Sequence, residues 1–430
     1  MRLADRFGPY VSIGIQIVSL ALGLVCNFLL ARSLGTEGYG EYSVVYNLIT
    51  VIGVPLEVGL AMVMVREISR YRLAEDWGHL RGAVIASFII TAAFTVPCVV
   101  IILFGNLLEG TWFSAYTGAL AWSVALLPIG SLVSLRGSIL RGLGNPLWGQ
   151  LLASVVRPGV FALLLIGAYL FARDSSTGRN MPASFAMALH VSAAMVALII
   201  GLVAMKALWP KDMHTTRPLY QWRRWLLDIP GFSLMAAVFA LNQAMGSFIL
   251  AYYHQPSDVG LYRVAELGAS LVSMPLSTLA IYFSADVSRL LNEKDFSGLR
   301  STLRHGARTA LICASPVVMV LTLFGGELIS FLFGEMYSGA WIPLIILSLA
   351  QIVNTFTGLV GIVMNMGGHH REVLVAVLVA VVAQAMSAII LTPSWGATGA
   401  ALASAVGTIF WSQLLRIRVK QRYRVSSLAF

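Results

Sequence analysis

The sequence predicts an all-α protein that crosses a membrane repeatedly, and three observations carry that expectation. Only 11% of the 430 residues are Asp, Glu, Lys or Arg, while 58% are hydrophobic; an ordinary soluble domain carries roughly 25% charged residues. Uncharged runs of spanning length recur. Phe7 to Ala31, Gly82 to Leu108, Gly110 to Leu135, Asn180 to Met205 and Ile229 to Ser257 each exceed the roughly 20 residues that cross a hydrocarbon core. Basic residues, finally, gather in alternate connecting segments.

Cutting the chain at Gly, Pro and charged clusters predicts twelve spans. The first, 10–31, follows Arg2 and Arg6. It is long for the apolar core of a secretory signal and lacks a small-residue cleavage pattern, so it reads as a retained span. "LLARSLGTEGYGEYS" separates it from the second, 42–65. Arg66, Arg70, Arg72 and Arg81 precede the third and fourth, 82–105 and 112–135; Arg136 and Arg141 precede the fifth and sixth, 147–171 and 183–207. The basic segment from Lys206 to Arg224 precedes the seventh and eighth, 228–252 and 260–284, and Arg289 to Arg308 leads to the ninth and tenth, 308–325 and 340–364. After Arg371, the uncharged stretch Val373 to Leu415 has to be two spans, 373–392 and 396–415. One helix of that length would measure about 64 Å, and "TPSWGATG" supplies the turn.

With the N-terminus cytoplasmic, 24 of the 29 basic residues fall in inside segments. Arg32, Arg173 and Arg179 fall outside, and Arg157 and Arg263 lie within spans. That bias predicts both termini in the cytoplasm. Topology and attraction to anionic membrane lipid account for the net charge of +10, which gives no reason to invoke nucleic acid.

The chain also repeats itself. At an offset of 220, Gly40 meets Gly260, Tyr42 meets Tyr262, Pro55 meets Pro275, and "LFG" at 103–105 meets "LFG" at 323–325. Six spans per half would make the repeat parallel, related by an axis along the membrane normal. The expected organisation is an N-terminal lobe, 1–205; a basic cytoplasmic linker, 206–225; and a C-terminal lobe with a basic cytoplasmic tail, 226–430. A cleft between lobes is the natural working site of that architecture.

Polar residues within spans are the candidate site, because an ionisable group at membrane depth costs about 2.5–3.5 kcal/mol on insertion scales and usually faces the protein interior. Arg157 in "VVRPG" has no acid nearby in sequence, which suits a cavity role or an interhelical pair. Arg263 and Glu266 lie three apart on one helix face and are spaced to neutralise each other. Glu57 and Asp228 are candidates for ion coupling, or for capping and snorkelling if they sit at span ends. Arg32 either anchors the end of the first span or lines a cavity rim. Asn47, Asn242, Gln243, Asn354, Asn365 and Gln384 are neutral candidates for sugar contacts.

Soluble enzyme chemistry is scarce. No nucleotide phosphate loop occurs, and "GTEGYG" lacks its lysine and hydroxyl. Cys26, Cys98 and Cys313 are isolated within spans, and His369 and His370 lack a spaced set of further metal ligands. No catalytic residue, metal or cofactor is therefore expected.

Five segments in order carry a family likeness: "ARSLGTEGYGEYS", "PLEVGLAMVMVREISR" at 55–70, "LRGSILRGLGNP" at 135–146, "DVGLYRVAE" at 258–266 and "LFGEMYSGAWIPLIILSLAQIVNTFTGLVGIVMNMGGHHR" at 332–371. The chain resembles the oligosaccharide or polysaccharide flippases, in the larger group that includes multidrug and toxin extruders and peptidoglycan-precursor flippases. The resemblance implies the extruder fold and transfer of a polyprenyl-pyrophosphate-linked oligosaccharide from the cytoplasmic to the periplasmic or outer leaflet. The expected membrane is the cytoplasmic one of a bacterium or archaeon. Twelve spans is similar to the O-antigen and exopolysaccharide transporters, which implies a glycan polymerase or glycosyltransferase complex as a partner. Cavity arginines serve the pyrophosphate in related flippases, and Arg263 is the positional match. An ion-coupled multidrug exporter of the same fold and a non-transporting scaffold for glycan synthesis are the alternatives.

Overall fold

The computed structural model describes residues 3–107, 116–174, 181–209, 216–423 and 425. Residues 112–115 of the expected fourth span and 210–215 of the expected linker lie outside them, as do Arg2, Arg179, Lys211 and Arg424. The side chains of Arg6 and Arg173 are likewise outside the description.

The described residues form helices and turns, with no strand. Hydrocarbon offers backbone amides no partner, so an apolar run must bond to itself as helix. Ten runs among the described residues are long and apolar enough to cross a membrane, so this is a multi-pass membrane protein. In chain order the helices are α1 (Leu3–Val54), α2 (Ala61–Leu73), α3 (Trp77–Leu107), α4 (Thr117–Gly142), α5 (Pro146–Leu151), α6 (Arg157–Asp174) and α7 (Ala183–Ala207). They continue with α8 (Trp222–Tyr253), α9 (Pro256–Asn292), α10 (Phe296–Phe333), α11 (Trp341–Thr357), α12 (Val360–Met366) and α13 (His370–Tyr423). Single π-helical stretches, Pro55–Leu60 and Leu152–Val156, join α1 to α2 and α5 to α6.

Two of the runs are folded back. Gly35 interrupts α1 with φ 69° and ψ −177°. Beyond it Tyr39 donates to Asn27 Oδ1 at 2.9 Å, although twelve residues of straight helix would separate the two by about 18 Å. Gly396 breaks α13 with φ 52° and ψ −130°, inside "TPSWGATG". A Cβ on Gly399 would lie 2.4 Å from the Leu391 carbonyl. Only glycine enters such backbone conformations without steric cost. These reversals reduce the twelve expected spans to ten continuous runs.

The chain divides into two units, Met1–Ala240 and Leu241–Phe430. The division falls inside α8, beyond the segment 206–225 that the charge pattern marks as linker. The first turns of α8 carry the reason, since Trp225 is fully buried in the core of the first unit with Leu60, Met64, Ile68 and Leu80. The preceding strap is held as well. Leu219 N–H donates to Gly78 O at 3.0 Å, Arg81 to Thr216 O at 2.8 Å and Tyr71 Oη to Gln221 at 3.2 Å. Buried Glu67 then gathers Arg70 at 2.6 Å, Arg66 at 3.0 Å and Arg224 at 3.6 Å, while Arg66 also pairs with Asp228.

Each unit contains the same pair of turns. The helix ends at Glu75 (φ 53°), Gly144 (φ 85°), Lys294 (φ 55°) and Gly368 (φ 76°) are all left-handed. In each, that residue's N–H returns to the carbonyl three residues back, and the next N–H to the carbonyl five back. This is the Schellman closure that satisfies the last carbonyls of a helix. Asp76 and Asp295 follow two of these residues and start the next helix. Asp76 accepts from His79 N at 3.1 Å and His79 Nδ1 at 2.7 Å; Asp295 accepts from Gly298 N at 2.9 Å and Ser297 Oγ at 2.7 Å. At Asp76 burial pushes the carboxyl upward, but the His79 hydrogen bonds outweigh it and hold it below the ordinary value. At Asp295 the Gly298 amide, then the Ser297 hydroxyl, lower it.

A side chain at Gly82 would place its Cβ 1.8 Å from the Leu219 carbonyl. Gly82→Ala should therefore lift the strap and cost about 1–3 kcal/mol, read as a lower thermal midpoint and faster proteolysis near residue 219. A carboxyl depressed in the fold stabilises it above the unfolded value of about 4, and loses that contribution as pH falls through the folded value. Asp295→Asn should thus be less stable than the parent at neutral pH, with the gap closing on acidification.

Candidate functional site

Among the described residues, each unit holds a polar cluster within its apolar helices. In the first, proline shapes the backbone. Pro55 lacks an N–H and opens the π-helical stretch that carries Glu57, and Pro158 follows the second such stretch and Arg157. Proline cannot close the i to i−4 bond and crowds the carbonyl four residues back; single π-turns of this kind recur at functional sites. Glu57 is within electrostatic reach of Arg157, with no ion pair between them. Its Oε1 lies 3.1 Å from where a Cβ on Gly130 would stand.

Arg157 is held by an imidazole. Its Nη2 is 3.0 Å from His190 Nε2, and a guanidinium can only donate. Nε2 must therefore be the unprotonated nitrogen, which leaves the ring proton on Nδ1, 2.6 Å from Tyr42 Oη. His190 is thus a neutral imidazole that donates to a tyrosine and accepts from an arginine. Aromatic rings fix its plane, with Phe161 stacked at 4.4 Å and Tyr46 at 5.3 Å. Arg157 makes no ion pair among the described residues, so its charge is not neutralised by contact with a carboxylate. Next to Tyr46 in sequence, Asn47 Nδ2 is buried without a hydrogen-bond partner among the described residues.

In the second unit a cavity of about 120 Å³ is lined by Asn242, Gln243, Tyr262, Glu266, Gln351, Gln384 and Ser404, with Ser270, Ser273 and Thr408. Asn242 Nδ2 donates to Gln384 Oε1 at 2.9 Å, Gln384 Nε2 to Ser404 Oγ at 3.1 Å, and Tyr262 Oη lies 2.7 Å from Ser404 Oγ. Gly407 leaves space for the amide, since a Cβ there would be 2.8 Å from Gln384 Oε1. Arg263 Nη1 meets Glu266 Oε2 at 2.6 Å, the pairing their spacing anticipates.

The structure brings Asn242, Gln243, Glu266 and Gln384 to one cavity, and Glu57 and Arg157 to one cluster. The remaining candidates are not among the residues that line the cavity, although Asn354 bonds to one that does. Asp228 is paired with Arg66 beside the strap. Arg32 is exposed, over the Phe28 ring at 5.9 Å. Asn354 donates to Gln351 at 3.4 Å, and Asn365 Oδ1 is buried without a partner among the described residues. No group of three metal-ligating side chains occurs among the described residues.

Sequence reasoning passed over His190, a lone intramembrane histidine that could have been found by the same depth argument as Arg157. It also placed Arg136 among the interfacial basic residues. The structure buries that side chain completely, where it donates to Ala197 O at 2.5 Å through the gap left by Gly201.

With this geometry in place, comparison with known proteins identifies the lineage. The family described as "Polysaccharide biosynthesis protein" matches residues 8–287. The chain belongs to that family. It is 20% identical over 412 residues to the "Probable low-salt glycan biosynthesis flippase Agl15" of Haloferax volcanii, covering 93% of this chain and 81% of the relative. Its fold is similar to that of an inward-facing multidrug resistance MATE family transporter of the MOP superfamily, with TM-score 0.75 and 15% identity over 96% of this chain and 98% of that one. It is also similar to the lipid II flippase MurJ in an inward closed conformation, with TM-score 0.73 and 16% identity over 96% and 87%. The polysaccharide biosynthesis family thus includes this chain by sequence, and both solved folds are shared.

Removing the acceptor should expose what His190 does for its neighbours. His190→Phe keeps the stacked ring but strands Arg157, with an expected loss of about 2 kcal/mol, against about 1 kcal/mol for Tyr42→Phe. Thermal unfolding in detergent checks the order.

Proposed function

We propose that this polysaccharide biosynthesis protein is a flippase. It translocates a polyprenyl-pyrophosphate-linked oligosaccharide from the cytoplasmic to the periplasmic or outer leaflet by alternating access, and it breaks no bond in the substrate. Counting each folded run as two crossings gives twelve, arranged as two six-helix lobes that repeat one plan, with both termini cytoplasmic in a bacterial or archaeal membrane. The paired turns, and Tyr42 and Tyr262 at matching places, support that repeat.

The observation that carries the reading is Arg157, a cation at membrane depth held by a neutral imidazole and by no carboxylate. A pyrophosphate leaving water needs charge-assisted donors to offset its desolvation, and no carboxylate among the described residues occupies the Arg157 guanidinium by direct contact. Arg263 serves less directly because Glu266 engages it, and Arg32 serves at the rim. Glu57 serves ion coupling in this proposal. The amides and hydroxyls around Asn242, Gln243 and Gln384 suit sugar hydroxyls. A glycan polymerase or glycosyltransferase complex receives the product.

Acute depletion followed by leaflet-resolved mass spectrometry tests this reading. One lipid-linked oligosaccharide should accumulate in the cytoplasmic leaflet and clear on re-expression, whereas Arg157→Gln at matched abundance should restore transport roughly tenfold more slowly. An unchanged leaflet distribution together with reduced efflux of an amphipathic cation would instead favour the multidrug exporter.

A further inference from the structure

A second cavity in the C-terminal unit is unlike the polar one. It measures about 230 Å³ and lies between the first arm of α13 and its returning arm. Val375, Val379 and Leu414 form its apolar wall, and Arg371 and Arg418 line it as well. Val375 and Val379 are 52% and 42% exposed, as befits side chains that face lipid.

The register of the two arms is what selects an occupant. Arg371 precedes Val375 by four residues, and Arg418 follows Leu414 by four. The arms run in opposite directions, so both arginines sit about one helical turn, roughly 6 Å, outward of the apolar side chains. A ligand that fits must therefore be anionic at one end and apolar beyond it. Neither arginine side chain makes a hydrogen bond or ion pair among the described residues. Glu372 also lines the cavity, but its carboxylate is shared by Arg422 and His369, each at 3.9 Å, so positive charge prevails there. A soluble anion would have no use for the valine wall, and an uncharged lipid none for the two arginines.

We infer that this groove binds an anionic phospholipid, its phosphate on Arg371 and Arg418 and its first acyl methylenes along Val375, Val379 and Leu414. Basic pockets between spans at one membrane face are suited to such headgroups. The site uses none of the residues assigned to transport, so it stands or falls independently of the flippase reading.

The test is native mass spectrometry of the purified full-length protein, delipidated and titrated with phosphatidylglycerol or with phosphatidylcholine of the same acyl chains. The parent should retain phosphatidylglycerol preferentially. Arg371→Gln with Arg418→Gln should weaken it roughly tenfold. Arg416→Gln with Lys420→Gln, on the same arm but outside the cavity wall, should leave it unchanged. Val375→Trp should also weaken it, because the indole fills the groove while both charges remain, and an unaltered thermal midpoint confirms that each variant is folded. Equal losses in both charge pairs would reduce the effect to diffuse attraction and overturn the site. Displacement by glycerol 3-phosphate at the same concentration as lipid would also overturn it, since the apolar wall would then contribute nothing.

Discussion

Hydrocarbon offers no hydrogen bonds, and most of this structure follows from meeting that constraint internally. Apolar runs become helices because no other local structure pairs all their amides. Polar side chains at depth are tied to one another: Arg157 to His190 to Tyr42, and Asn242 to Gln384 to Ser404 to Tyr262. What distinguishes the two clusters is charge. In the C-terminal unit the arginine is met by Glu266, whereas in the N-terminal unit the arginine is met by an imidazole. A neutral acceptor orients a guanidinium without cancelling it, which is the property an anion site requires.

The same constraint shapes the places where helices end. Last-turn carbonyls need partners, and the chain solves the problem four times with one turn, twice in each unit. Two of these turns spend a non-glycine residue, Glu75 or Lys294, on a left-handed conformation that costs roughly 1–2 kcal/mol. The aspartate that follows then caps the next helix and offsets part of that cost. Near the first pair, buried Glu67 gathers three arginines. One of them comes from the start of α8, which fastens the strap to the N-terminal unit before the chain leaves it.

Much of this was legible in the residues themselves. Membrane spans follow from uncharged length, the reversal in α13 from "TPSWGATG", and the Arg263–Glu266 pair from its three-residue spacing. Arg157 stood out because a lone cation at depth is conspicuous. Its partner did not, since a single histidine among alanines carries no pattern, and a separation of 33 positions hides the contact. Asp228 left ion coupling, charge pairing and a span-end role open in the sequence, because its partner Arg66 lies 162 residues away. Arg136 read as interfacial because hydropathy cannot register that Gly201, on another helix, leaves the space a guanidinium occupies. Long-range pairing is the common element in what the sequence concealed.

The central claim is that this chain alone moves a lipid-linked glycan across a bilayer. Purified protein reconstituted into vesicles with a fluorescent polyprenyl-pyrophosphate oligosaccharide, scored by access of an impermeant quencher to each leaflet, tests it most directly. Protein-dependent equilibration of the headgroup between leaflets, lost with Arg157→Gln, is the predicted result. A headgroup that stays in its original leaflet in the presence of folded protein and an imposed ion gradient would contradict it.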